Sequence, residues 1–314
     1  MSSNRVIMYY QTQKQNDNYI SPLPLQNDIT HLFLAAFHLN MGNIGPDIVH
    51  LNDFMPSDPY YAPMWPDIAM MQANGVKVVG MLGGAAPGTY ECLVDGLFDT
   101  YYPPLRDVVR DYKLDGLDLD VEEYVSPQTI ERLILQLRAD FGEDFIITLA
   151  PVASALTREG NISGFDYIDL EHNLGRYINW YNAQFYSGFG TFFPEQEYID
   201  VIEYGQGINP DRVVALVLTN PENGYGYISE ESVVESISKL MEKYGTNWGG
   251  VGGWEYFNSL PDANRPYLWA QMMKDAMKTS KDRILARLGV EQENKEENDA
   301  EGRVKSRMFR GLES

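Results

Sequence analysis

The sequence predicts an α/β chain closed into a single (β/α)8 (TIM) barrel. Three observations carry this. Short apolar runs recur along the chain, and stretches of helical spacing separate several of them. Eight such runs are present, the number that closes a barrel. The chain has 314 residues, within the size of one barrel and ample for a large core.

The elements follow in order. Arg5 to Tyr10 reads as a first strand, bounded by the polar run Gln11 to Asn18. The pattern is faintest where a first helix should come next. His31 to His38 is nearly all apolar, as in a strand buried on both faces. Asn40 to Pro63 is rich in Gly, Pro, Asn and Asp and reads as a long loop. Met64 to Asn74 has helical spacing and stops at Gly75. Val76 to Leu82 is the third strand, ended by Gly83-Gly84, and a helix covers Leu97 to Tyr112. The fourth strand lies in Leu114 to Tyr124. Ser126-Pro127 opens a helix with a good N-cap and Pro at its first position, and the helix runs to Phe141. Asp144 to Ala150, Asn179 to Tyr186 and Arg212 to Leu218 are strands five to seven. A helix over Glu230 to Tyr244 leads to the eighth strand, Gly250 to Phe257, and Asn264 to Lys278 is a last amphipathic helix. The expected barrel thus occupies residues 1–280. In the charged tail, residues 281–314, a short helix near Asp282 to Leu288 should give way to disorder.

The fourth strand carries the chemistry. In Leu117-Asp118-Leu119-Asp120-Val121-Glu122 apolar and acidic residues alternate with the period of a strand. Asp118, Asp120 and Glu122 therefore share one face, and Leu117, Leu119 and Val121 the other. Like charges so close cannot all ionise freely, so at least one pKa must rise. That suits a general acid working near neutral pH. A solvated acidic edge strand would instead carry polar residues on the opposite face.

Composition excludes other classes. The formal charge of −21 argues against nucleic acid or an anionic membrane as partner. The single cysteine, Cys92, cannot form a disulfide within the chain and reads as a core filler. The four histidines show no metal-ligand spacing. Aromatic residues make up 12%, which suits either a barrel interior or a sugar-binding surface. The start lacks a basic-then-apolar leader, so the expected location is cytoplasmic, or extracellular if a leader was removed.

The pattern Asp115-Gly116-x-Asp118-x-Asp120-x-Glu122 resembles the signature of glycoside hydrolase family 18, the chitinases and endo-β-N-acetylglucosaminidases. Val121 stands where chitinases often carry Trp or Tyr. The resemblance implies that Glu122 is the general acid/base, that Asp120 steers the substrate's acetamido group, and that Asp118 shares a proton with Asp120. Gln184 and Tyr186 match the family's acetamido-contacting pair, and Trp254 matches a Trp that floors the cleavage subsite. Tyr10 and Phe37 are further candidates for lining the cleft. Gly83-Gly84 resembles the family's Ser-x-Gly-Gly segment, with Met81 in place of Ser. Glu123 points outward by alternation and reads as structural, while Asp53, Trp65, Trp248 and Glu255 carry no role in this reading.

About thirty residues separate strands seven and eight, too few for the small α+β insertion of deep-tunnel chitinases. The resemblance therefore implies a shallow cleft and internal cleavage of chitin or another N-acetylglucosamine-containing oligosaccharide, with no metal or cofactor. An endo-β-N-acetylglucosaminidase acting on the chitobiose core of N-glycans uses the same acids. A non-catalytic sugar-binding protein on the same fold is a third reading, although such relatives usually lose the glutamate that this chain keeps. Oligomeric state is not legible in the sequence.

Overall fold

The computed structural model describes residues 4–204 and 207–286. Eight parallel strands form a closed barrel: β1 (Arg5–Tyr10), β2 (His31–Leu39), β3 (Lys77–Gly83), β4 (Gly116–Asp120), β5 (Ile146–Leu149), β6 (Trp180–Gln184), β7 (Val213–Leu218) and β8 (Gly250–Trp254). Closure is explicit, because β1 pairs with β2 from Ile7↔His31 to Tyr10↔Leu34 and with β8 from Arg5↔Gly250 to Met8↔Gly253. Around the barrel lie α1 (Met64–Ala73), α2 (Phe98–Asp111), α3 (Pro127–Phe141), α4 (Tyr167–Leu174), α5 (Gln196–Glu203), α6 (Glu230–Tyr244) and α7 (267–286). Capping follows the sequence: the Ser126 hydroxyl accepts from the Thr129 N–H, and Ser229 does the same for Ser232 at the start of α6.

The core has two parts, separated by strand alternation. Inside the barrel Ile7, Tyr9, Phe33, Val79, Met81, Trp180, Val214 and Leu216 pack together. Between barrel and helices lies a larger layer that includes Leu117, Leu119 and Val121, where the alternation of β4 sends them.

Four differences from the sequence-based expectation stand out. No α-helix joins β1 to β2. A two-stranded hairpin, Lys14–Gln15 with Asn18–Tyr19, and a short 3-10 turn, Leu23–Leu25, take its place. Asn16 and Asp17 both have positive φ, the conformation of a two-residue hairpin turn, and the polar run has no apolar stripe to bury. The expected loop after β2 contains a strand, Val49–Leu51, antiparallel to the end of β2. The short helices α4 and α5 were not separated from loop by spacing. Finally, α7 continues unbroken across Lys281, so the short helix expected from Asp282 is its extension through residue 286. The rest of the expected tail, 287–314, lies outside the described residues.

Candidate active site

Strand β4 ends at Asp120, two residues short of Glu122. The acids still share a face. Asp118 and Asp120 are buried on the inner side, and Asp120 and Glu122 both line a cleft of about 410 Å³ at the carboxyl ends of the strands. Three larger hollows, about 660, 550 and 430 Å³, border this cleft and share Phe189, His38 and Ile162 respectively with its rim. None of the three contains the acid pair, and the chemistry selects the smaller cleft.

Asp118 is the deepest of the three. Its Oδ1 accepts from Thr148 Oγ1 at 2.6 Å and Asn182 Nδ2 at 3.0 Å, and its Oδ2 from the Tyr9 hydroxyl at 2.7 Å. Burial pushes its pKa up to about 6, and the three donors oppose that rise. Asp120 is raised well above the carboxylate range, first by burial, then by Glu122 and Asp118. Glu122 is raised by burial and lowered by its hydrogen bonds to Gln184 and Asp120. The environment therefore favours a proton held between Asp120 and Glu122, facing the cleft.

Gln184 ties this pair down. Its Nε2 donates to Ala150 O at 2.8 Å and Asp120 Oδ1 at 3.1 Å, and reaches Glu122 Oε1 at 3.4 Å. Tyr186 and Trp254 line the same cleft, and the Trp254 ring lies 5.5 Å from that of Tyr9. Burial and the three acids hold the Tyr186 hydroxyl well above its usual pKa, so it stays a neutral donor. The glycines before Trp254 have a packing cause. A Cβ at Gly252 would strike Leu216, and one at Gly253 would strike Thr219 and the Trp269 ring.

Two expected residues are elsewhere. Tyr10 belongs to the outer layer and its hydroxyl donates to Ile20 O at 2.6 Å. Its neighbour Tyr9 faces inward, as Ile7 does, and is the residue of β1 that lines the cleft. Phe37 is also in the outer layer. Pairing of β2 with β3 shifts between Leu34 and Phe37, and the extra residue reverses the alternation, so Ala36 and His38 line the cleft instead. The sequence pattern does not single out Tyr9, His38 or Thr148, whereas alternation along the sixth strand puts Asn182 on the inner face with Gln184 and Tyr186, where the structure has it behind Asp118.

Three neighbouring features are structural. Asp115, at the far end of β4, pairs with Lys77 at 2.8 Å and accepts from the Val78 N–H at 2.9 Å. Glu255 accepts from the N–H groups of Gln11 and Thr12, joining the end of β8 to the end of β1. Glu123 faces away from the cleft and accepts from the N–H groups of Gly88 and Tyr90 at 2.9 and 2.8 Å. Glu123→Gln keeps one acceptor oxygen and should leave kcat/KM almost unchanged. The lost charge-assisted bond should lower Tm by about 2–4 °C. Steady-state kinetics with a thermal melt check both. A large kinetic loss would mean that position 123, not 122, faces the substrate.

The Gly83-Gly84 turn holds β4 in place. Gly83 has φ +94°, and a Cβ there would collide with the Asp120 carbonyl oxygen and the Tyr90 ring, while the Gly84 N–H donates to that same oxygen at 2.9 Å. Gly83→Ala should destabilise by at least about 2 kcal/mol, combining a left-handed backbone with a clash. It should also lower kcat by displacing Asp120. Denaturant unfolding and kinetics on the variant test the two effects together.

No family model matches the chain. Among curated proteins it is similar to Chitinase 2 of Rhizopus oligosporus, 26% identical over 208 residues, covering 60% of this chain and 35% of that protein. It is also similar to Endochitinase A of Emericella nidulans, 28% identical over 273 residues, covering 76% of this chain and 27% of that protein. The chain thus spans about a third of the length of these relatives, or less. Solved structures align over nearly their whole length. A fungal endo-β-N-acetylglucosaminidase from glycosyl hydrolase family 18 is 45% identical with a TM-score of 0.80, covering 87% of this chain and 97% of its own. Chitinase ChiC from Aspergillus fumigatus is 48% identical with a TM-score of 0.78, covering 87% and 99%.

Proposed function

Because the chain belongs to glycoside hydrolase family 18, we propose that it hydrolyses internal β-1,4 bonds between N-acetylglucosamine units of chitin or chitooligosaccharides, with retention of configuration. One observation supports this most strongly. Asp120, Glu122, Tyr186 and Trp254 line a single cleft, and one amide, Gln184, holds the acid pair in register.

In this mechanism no protein carboxylate attacks the sugar. Family 18 is one of the substrate-assisted exceptions among retaining glycosidases. The acetamido oxygen of the bound sugar attacks its own anomeric carbon, and an oxazolinium ion forms. Glu122 protonates the departing glycosidic oxygen and then removes a proton from the incoming water. Asp120 accepts the acetamide N–H and stabilises the positive charge that develops on it. The neutral Tyr186 hydroxyl donates to the acetamide oxygen and keeps it in line. The indole of Trp254 supplies an apolar floor for the sugar ring. Asp118 stays negative behind Asp120 and balances the charge as the proton moves between Asp120 and Glu122.

A second reading is favoured by a specific likeness. The solved endo-β-N-acetylglucosaminidase is as close in fold as the chitinase, and cleavage of the N-glycan chitobiose core would use the same groups. Incubation with chitohexaose and, separately, with a high-mannose glycoprotein separates the two. The proposal expects chitohexaose to yield shorter oligomers while the glycoprotein is untouched. Released glycan without chitohexaose cleavage would establish the second reading. Binding without any turnover would reduce the protein to a lectin.

A further inference from the structure

Behind Asp118 the barrel interior contains a line of polar groups with no contact to the cleft. Trp180 Nε1–H donates to Asn182 Oδ1 at 2.8 Å, and Asn182 Nδ2–H donates to Asp118 Oδ1 at 3.0 Å. An indole nitrogen is only a donor, so Trp180 fixes which end of the Asn182 amide faces Asp118. The guanidinium of Arg5 lies 4.2 Å from the centre of the Trp180 ring, and Arg5 itself is anchored by its donation to Asp211 O at 2.7 Å. His31 meets the same indole edge-on at 4.9 Å. The Trp180 N–H and the Asn182 amide both turn their positive ends toward Asp118.

We propose that Trp180 and Asn182 are positioning residues for catalysis: they hold a hydrogen-bond donor on Asp118 Oδ1, which binds the charged carboxylate more strongly than the neutral acid, so that Asp118 carries the negative charge and the mobile proton stays on Asp120 and Glu122. This inference rests on the hydrolase reading above and adds the source of its proton arrangement. The Thr148 and Tyr9 hydroxyls cannot enforce it, because each can rotate and accept a hydrogen bond from a protonated Asp118. The amide cannot rotate without losing the indole bond.

The groups around Asp118 make its titration readable. Asp120 and Glu122 follow it along the chain. Tyr9 meets it from β1, Tyr186 lies beyond β6, and Tyr90 and Tyr167 lie within its field. Burial holds all four tyrosines neutral far above the acid range, so the three acids are the groups that titrate there. At the other end, burial and Arg5 hold His31 neutral down to about pH 3, while Lys77 is paired with Asp115 at 2.8 Å.

The test is Trp180→Phe, which keeps a ring beside Arg5 and removes the indole N–H together with part of the ring's volume, with Asn182→Ala as a second variant that removes the donor to Asp118 itself. The acidic limb of the kcat/KM profile on chitohexaose should move up by about one pH unit in Trp180→Phe, the size of one weakened charge-assisted bond. It should move at least as far in Asn182→Ala. Infrared titration of the carboxyl bands in the same proteins should show one buried acid gaining its proton at correspondingly higher pH, with or without turnover. A uniform fall in rate with the limb and the titration unmoved would overturn the relay and leave the hydrolase reading standing. A wild-type protein that cleaves no sugar would remove that reading, and the infrared shift would still decide whether the relay exists.

Discussion

Glu122→Gln is expected to lower hydrolysis of chitooligosaccharides by roughly 10²–10⁴-fold, the range of a lost general acid/base, with little change in their affinity. The substituted amide has nearly the same shape and keeps an oxygen for Gln184 Nε2, now 3.4 Å from Glu122 Oε1. It has no proton to give the leaving oxygen. The variant should also reveal how the acids are coupled. Glu122 is the largest charge effect raising Asp120, so with a neutral residue at 122 the Asp120 pKa should fall. Single-turnover assays and calorimetric titration with chitotetraose read the two halves of this prediction. Lost binding together with lost turnover would mean that Glu122 shapes the cleft rather than acting on the bond.

Asp120→Asn should reduce kcat by roughly 10²–10³-fold, the usual cost of removing one electrostatic stabiliser of a transition state. KM should stay within a few-fold. Asparagine can still accept the acetamide N–H through its oxygen, so ground-state binding survives, but it offers no negative charge to the forming oxazolinium ion. The surviving intermediate should partition more toward sugar acceptors than toward water, visible as longer oligomers in the product mixture. An unchanged kcat would mean that the charge facing the acetamide comes from another group.

The buried acids also set the stability of the fold. The folded pKa of Asp118 is about 6, above the ordinary unfolded value of about 3.9. The native state therefore binds this proton more tightly than the unfolded state. Its contribution to stability is complete below about pH 4 and is lost as pH rises toward 6. Asp120 and Glu122 shift in the same direction. Denaturant unfolding from pH 4 to 7 should show the wild type losing more stability than Asp118→Asn, whose amide cannot ionise.

How much of this the sequence could reveal depended on what marked the inner face of each strand. In β4 the acids marked it, and the structure places Asp118, Asp120 and Glu122 together on the inner side while Leu117, Leu119 and Val121 pack outward. In β1 nothing did. Residues from Val6 to Tyr10 are all buried, so apolar content alone could not distinguish Tyr9 from Tyr10. In β2 the alternation itself was misleading, because the register shift between Leu34 and Phe37 carries Phe37 outward and His38 to the cleft. The helices followed the same rule. The fifteen-residue α6 emerged with its bounds intact, since it has a Ser229 cap, an apolar stripe and a Gly245 stop. The eight-residue α4 and α5 hold too few turns for a period to stand out. The hydrogen bonds of Thr148 and Asn182 to Asp118 join β4 to β5 and β6, and depend on barrel closure, which no local pattern encodes.

In the proposed reaction the sugar's acetamide, rather than a protein carboxylate, attacks the anomeric carbon. The most direct measurement is kcat/KM for aryl chitobiosides in which the reacting acetamide carries zero, one, two or three fluorines. Fluorine withdraws electrons from the amide oxygen, so the rate should fall steeply and log-linearly across the series, with no covalent adduct on Asp118, Asp120 or Glu122 by mass spectrometry. Rates that ignore the fluorines, or an ester trapped on one of these acids, would contradict it.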